Sequence, residues 1–191
     1  MPVMHKVEVK KSLEVLQAGG IILYPTDTVW GIGCDATNQE AVEKVFNLKG
    51  RDSAKSLIVL LDTENKLQAY VKEVPEIAYE LIEYAENPLT LIYSGAKNFA
   101  SNVIAEDGSI GIRIVKHPFC KQLIQQFKKP IVSTSANLSG CPTPANFQEI
   151  DIEIVKGVDY VVNLEQDDLT KKKSSAIMKL EPGGRFAFIR R

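Results

Sequence analysis

The sequence predicts an α/β or α+β domain built around one mixed sheet. Three observations carry this. Apolar runs of strand length recur through the 191 residues, amphipathic stretches of helix length lie among them, and the two alternate irregularly, with several strands following one another directly. A regular doubly wound fold would instead place a crossover helix between its parallel strands. The length makes a single domain over 1–191 the default and suffices for a substantial core.

Residues 11–18 carry apolar side chains at helical spacing and stop at Gly19-Gly20, a helix C-cap signal. Residues 21–24 read as a strand. Asn38 can cap a helix over 38–48 whose inner face is Ala41, Val42, Val45, Phe46 and Leu48. The all-apolar run 57–61 is a buried strand. Residues 63–70 and 75–86 read as two helices, the second with Pro75 in its first turn. Strands are expected at 89–93 and 110–115, and an amphipathic helix at 118–127. A buried strand at 130–133 runs into a serine-rich loop, and strands at 158–163, 175–180 and 186–189 follow. Residues 140–144 and 167–173 read as loops.

Hydrophobic residues make up 45% of the chain and charged residues 25%, with a formal net charge of −1. No global basic field calls for nucleic acid, so a polyanion site must be a local cation cluster. The apolar runs are too short to span a bilayer and the first residues lack an apolar signal core, so a cytosolic (cytoplasmic) location with no membrane partner is expected. Cys34, Cys120 and Cys141 have no metal-ligand or paired spacing and read as reduced thiols. With only His5 and His117, a Ser-His-Asp or Cys-His system is disfavoured.

Three polar clusters and a single arginine break the apolar pattern. In residues 25–33, Thr26 and Thr28 offer hydroxyls to a carboxylate, and Gly31 and Gly33 permit close backbone approach. The same residues also read as a proline-started turn with Asp27 as an Asx or cap residue. Lys49-Gly50-Arg51, with Lys55 beyond, reads either as a phosphate clamp or as a solvated helix C-terminus with Gly50 at C′. Residues 133–140, Ser-Thr-Ser-Ala-Asn-Leu-Ser-Gly, read either as an anion-binding nest or as a polar connector. Arg113 sits inside the apolar run 110–115, where it needs a carboxylate or phosphate from a ligand, or an internal Asp or Glu. No Walker A loop and no G-x-G-x-x-G fingerprint is present, and Lys171-Lys172-Lys173 reads as a solvated loop.

Taken in order and spacing, these segments resemble the YrdC-like family, the L-threonylcarbamoyladenylate synthases, in its short single-domain form. The resemblance runs from Gly20 to Arg190 and rests on residues 24–31, 49–51, 88–92, 111–114 and 133–140. It implies an open, twisted α/β sheet with helices packed on it and a concave, positively charged site. It implies a nucleotidyltransferase that turns L-threonine, bicarbonate and ATP into threonylcarbamoyl-AMP and pyrophosphate. A separate transferase complex would then modify adenosine 37 of tRNAs reading ANN codons.

By position, the resemblance assigns Thr28, Arg113, Ser133 and Ser175 to threonine. It assigns Arg51, Lys55, Ser109, Ser135, Thr143 and Arg190 to ATP, with Lys49, Arg51, Ser135 and Asn137 as the catalytic tetrad. Mg²⁺ would arrive with ATP, with no protein-ligated metal and no covalent enzyme intermediate. Arg190 would require the last strand to dock beside the 133–137 loop. Departures from the pattern are Leu60 where many relatives have histidine, Asn87 before Pro88, Ser175-Ala176 in place of Ser-Thr, and Trp30 in place of tyrosine. The further C-terminal domain of longer members is expected to be absent. Two other readings are a catalytically silent YciO-like paralogue, against which the intact tetrad speaks, and a double-stranded RNA or tRNA-binding module. Against the latter stand the net charge and the lack of an RNP, KH or aromatic stacking signature.

Overall fold

Gly19 (φ +73°) and Gly20 end the first helix, α1 (Val3–Gln17), in a Schellman turn: Gly20 N–H donates to Val15 O and Gly19 N–H to Leu16 O. The stop is where the sequence predicts it, and the helix begins eight residues earlier than its apolar spacing marks. The computed structural model describes residues 3–50, 57–181 and 185–190. The remaining helices are α2 (Gln39–Lys49), α3 (Leu67–Tyr70), α4 (Glu76–Tyr84), α5 (Pro118–Phe127) and α6 (Ile152–Gly157). In α2 the Asn38 side chain accepts from Ala41 N–H, and Gly50 at φ +56° closes the last turn. The segment 63–70 is not one helix but a 3₁₀ turn (Glu64–Lys66) leading into α3.

The strands are β1 (Ile22–Tyr24), β2 (Gly31–Gly33), β3 (Ile58–Leu61), β4 (Leu89–Tyr93), β5 (Ile110–Ile114), β6 (Ile131–Ser135), β7 (Tyr160–Val161), β8 (Ala176–Leu180) and β9 (Phe186–Arg190). They form one sheet in the order β7-β1-β2-β6-β3-β5-β4-β8-β9. The pairs β1/β7, β3/β5 and β4/β8 are parallel and the others antiparallel, so the sheet is mixed, as expected.

Apolar clusters cover both faces. Val59, Leu61, Ile112 and Leu91 point to one face, where Ala41, Val42, Val45 and Phe46 of α2, Ala78 of α4 and Ile154 of α6 meet them. Ile22, Tyr24, Leu60 and Ile131 point to the other, under Val9 and Leu16 of α1 and Phe119, Leu123 and Ile124 of α5. Fully burying side chains of this size contributes roughly 1.5–3 kcal/mol each, which makes these two clusters the main source of stability.

Two local features prepare the site. Gly33 lies where a Cβ would stand 2.5 Å from Val132 O and 2.6 Å from Tyr24 Cε1, so only glycine lets β2 lie between β1 and β6. At the other edge, Met178 pairs with Phe188, but its neighbour Ile177 pairs with Arg190, skipping Ile189. This β-bulge puts Arg190 opposite Ile177 and so on the same face of the sheet.

Candidate active site

Helices α1 and α5 cover only part of their face of the sheet, and the strands cross from the covered part into an open one. Side chains two apart on a strand share a face, so the changeover is read along single strands. In β6, Ile131 packs under the helices, while Ser133 and Ser135 line a cavity. In β3, Leu60 is covered and Ile58 lines the cavity; after β5, Val115 is covered, and Arg113 and Gly111 line it. The cavity, about 270 Å³, therefore forms at the end of β6 and the beginnings of β3 and β5.

Cross-strand register adds the rest. Leu60, Arg113, Thr90, Ile177 and Arg190 form one row of Cα partners across β3, β5, β4, β8 and β9. The parallel row runs Ser133, Ile58, Gly111, Ile92. Strands of distant sequence thus lay two arginines, two hydroxyls and an apolar floor side by side. Leu60 itself is fully buried in the helix-covered cluster and does not line the cavity.

Eight of the predicted residues line this one cavity: Thr28, Arg113, Ser133 and Ser175 of the threonine set, and Ser109, Ser135, Thr143 and Arg190 of the ATP set. Arg113 is 4% exposed. Its Nη2 lies 3.2 Å from Asp27 Oδ1, yet neither Nη2 nor Nε makes an aligned hydrogen bond. The internal carboxylate thus balances the charge of an arginine that lines the cavity. Asp27 Oδ2 accepts from Lys116 N–H, which is neither of the turn roles the sequence offered for it. Thr26 Oγ1 is committed within its own turn, donating to Val29 O and accepting from Thr28 N–H. Thr28 lines the cavity, its hydroxyl 2.9 Å from Thr26 Oγ1.

Arg190 enters from the far edge of the sheet. Its strand is not beside the 133–137 loop: β3, β5, β4 and β8 separate it from β6. The curved sheet and the bulge bring its side chain to the same cavity nonetheless. Arg190 Nε and Nη2 donate to Ser175 O at 3.0 and 2.8 Å. Burial lowers its pKa, and the positive charge of Arg113 lowers it further. Two guanidiniums line one concavity, a local concentration of positive charge on a chain of net charge −1.

Lys49 and Asn137 do not line this cavity; Asn137 lines a neighbouring one, which shares Thr143 with it. The Lys49 ammonium is 2% exposed and donates to the carbonyls of Ser135 and of Asn137, the latter at 2.5 Å. Asn137 Nδ2 donates to Leu138 O and Cys141 O, while its buried Oδ1 has no hydrogen-bond partner. Arg51 and Lys55 lie outside the described residues. Among the described residues, no group of three or more His, Cys, Asp and Glu is placed to hold a metal ion, and no helix is long and apolar enough to cross a membrane. All three cysteines are free, Cys34 and Cys120 buried and Cys141 exposed.

A family profile described as telomere recombination, Sua5/YciO/YrdC, matches residues 14–191. The chain belongs to the Sua5/YciO/YrdC family. Among its Sua5/YciO/YrdC relatives, a threonylcarbamoyl-AMP synthase of Pseudoalteromonas translucida is 36% identical over 155 residues, 80% of this chain and 83% of that protein. One of Vibrio parahaemolyticus is 34% identical over 168 residues, 86% of this chain and 90% of that protein. The fold overlays P. abyssi Sua5 complexed with L-threonine at a TM-score of 0.84 and 23% identity, covering 95% of this chain and 53% of that one. It overlays E. coli YciO at 0.83 and 22%, covering 98% and 89%. The chain thus spans about half the length of the P. abyssi protein.

Within this Sua5/YciO/YrdC domain, sequence reasoning missed Thr90 and Ser174 as cavity-lining residues. Thr90 is fully buried, and its Oγ1 lies 2.8 Å from Ser175 Oγ. A hydroxyl in the apolar run 89–93 was the available signal, because buried polar groups need partners. The Lys171–Lys173 loop is only partly solvated: Lys172 pairs with Glu165 at 2.7 Å.

Proposed function

We propose that this chain is a transferase that makes threonylcarbamoyl-AMP and pyrophosphate from L-threonine, bicarbonate and ATP, and that a separate complex passes the threonylcarbamoyl group to tRNA. The observation that carries the reading is Arg113. It is a buried arginine whose charge is balanced by Asp27 and which lines a cavity shared with Thr28, Ser133 and Ser175. A carboxylate flanked by an amine and a hydroxyl matches that set. The names of the relatives support the same reaction.

In this reading Arg113 takes the threonine carboxylate, and Thr28, Ser133 and Ser175 hold its amine and hydroxyl. The amine joins the bicarbonate carbon and water is lost. An oxygen of the resulting carbamate bonds to the α-phosphorus of ATP as the bond to pyrophosphate breaks. Ser109, Ser135, Thr143 and Arg190, with Arg51 and Lys55, hold the nucleotide; Lys49 ties the end of β6, which presents Ser135, to the loop of Asn137. Mg²⁺ enters with ATP as part of the substrate. The rate enhancement comes from positioning and from donors aimed at developing negative charge.

Pyrophosphate release by the purified protein is expected to require threonine and bicarbonate together. Equal release without threonine, or with alanine in its place, would refute the assignment. Arg190→Ala is expected to raise KM for ATP about three- to tenfold, the loss of one partly exposed charge-assisted contact. The melting temperature should barely move, because the Arg190 side chain contributes little apolar burial. An unchanged KM would remove Arg190 from the nucleotide site, and a large fall in melting temperature would make β9 structural instead.

A further inference from the structure

Behind the cavity wall that carries Ser174 and Ser175 runs a ring of ionic contacts that the reaction itself does not use. Glu165 Oε1 lies 2.7 Å from His117 Nε2, and Glu165 Oε2 accepts from Lys172 Nζ at 2.7 Å. The hydrogen bond from His117 holds the Glu165 carboxyl at about 2, with Lys172 adding to the effect against the cost of burial. The carboxylate is therefore ionised, and Nε2–H is the donor. Lys172 Nζ also lies 3.5 Å from Thr26 O. His117 follows Lys116, whose N–H is held by Asp27, the partner of Arg113.

One carboxylate and the lysine bound to it therefore join three pieces of chain. These are the N-terminal cap of α5, the loop from Glu165 to Lys172, and the turn that carries Thr28. The loop continues through Lys173 directly into Ser174 and Ser175 at the cavity. Glu165 itself adopts φ +55°, a left-handed backbone that a non-glycine residue keeps only where surrounding contacts hold it. Its side chain supplies those contacts. The loop is otherwise anchored by Val162 and Leu164, both buried before the latch, so nothing apolar pins the stretch from Gln166 to Ser174.

We propose that Glu165 is a positioning residue for the threonine side of the cavity, latching the Ser174-Ser175 wall to the Thr28 turn through His117 and Lys172. Naming threonine rests on the function proposed above; the latch itself does not. Glu165→Gln keeps size and loses the charge that serves both partners. It is expected to raise KM for threonine about three- to tenfold, as the loss of a partly exposed charge-assisted contact would. kcat should stay within about twofold and KM for ATP should move less than KM for threonine, since the Ser135 side of the cavity is untouched and only Arg190, held by Ser175 O, reaches the nucleotide from this wall. Lys172→Met, which removes the other arm, should produce the same selective change, and it carries the test if Glu165→Gln does not fold.

Amide hydrogen exchange in ligand-free protein provides a readout independent of any reaction. In Glu165→Gln, exchange over residues 166–175 should quicken about tenfold while β3 and β5 stay protected. Unchanged exchange overturns the latch. So does a parallel rise of both KM values with a lowered melting temperature, which would mark Glu165 as a general stability contact. If the wild-type protein turns over no threonine, the failure belongs to the assigned reaction, and exchange alone decides the latch.

Discussion

Arg113→Ala is expected to lower kcat/KM for pyrophosphate release by roughly two to three orders of magnitude, equivalent to about 3–4 kcal/mol of lost transition-state stabilisation. The guanidinium is buried, and it is the group best placed to receive a carboxylate in the cavity. Its removal also strands Asp27, which has Lys116 N–H as its other contact. Some stability will therefore be lost, and the kinetic effect must be read against thermal melts and threonine calorimetry at a temperature where the variant is folded. Arg113→Lys should keep much of the stability, because an ammonium still answers Asp27. It should restore little activity, because the planar fork is gone. Activity of Arg113→Ala within fivefold of wild type, with normal threonine affinity, would show that Arg113 serves only Asp27.

Lys49→Met is expected to cost about 2–4 kcal/mol in stability and to reduce kcat on the order of a hundredfold. Methionine fills the stem volume but leaves the carbonyls of Ser135 and Asn137 without their buried donor. The end of β6 that presents Ser135 to the cavity then loses its fixed geometry, and small displacements of positioning groups are catalytically expensive. Urea denaturation gives the stability change and single-turnover kinetics with saturating ATP gives the rate. A variant with lowered stability but wild-type kcat would reduce Lys49 to a structural clamp with no bearing on the chemistry.

Much of the fold could be read from residue patterns because the elements concerned satisfy local rules. β4 and α5 fall where predicted, one a short apolar run and the other an amphipathic helix opened by Pro118. β2 was invisible: Gly31-Ile32-Gly33 has almost no strand propensity, and it becomes a strand because β1 and β6 hydrogen-bond it from both sides. α6, six residues capped by Asp151, is too short to show a helical period. In the site, hydroxyls at strand ends were readable as ligand groups. That Thr26 is consumed by its own turn, that Lys49 faces inward to loop carbonyls, and that Arg190 reaches the cavity from the opposite edge are facts of tertiary register.

The skipped residue in β9 has a consequence for how that segment tolerates change. Phe186 and Ile189 are 44% and 60% exposed, so their identities are loosely constrained by packing. Their number is not. Adding or removing one residue between Phe186 and Arg190 would cancel or double the offset against β8, and the alternation of the strand would swing the arginine to the opposite face. Substitutions in this stretch should therefore be absorbed where insertions and deletions are not: the segment works as a spacer whose information lies in its count.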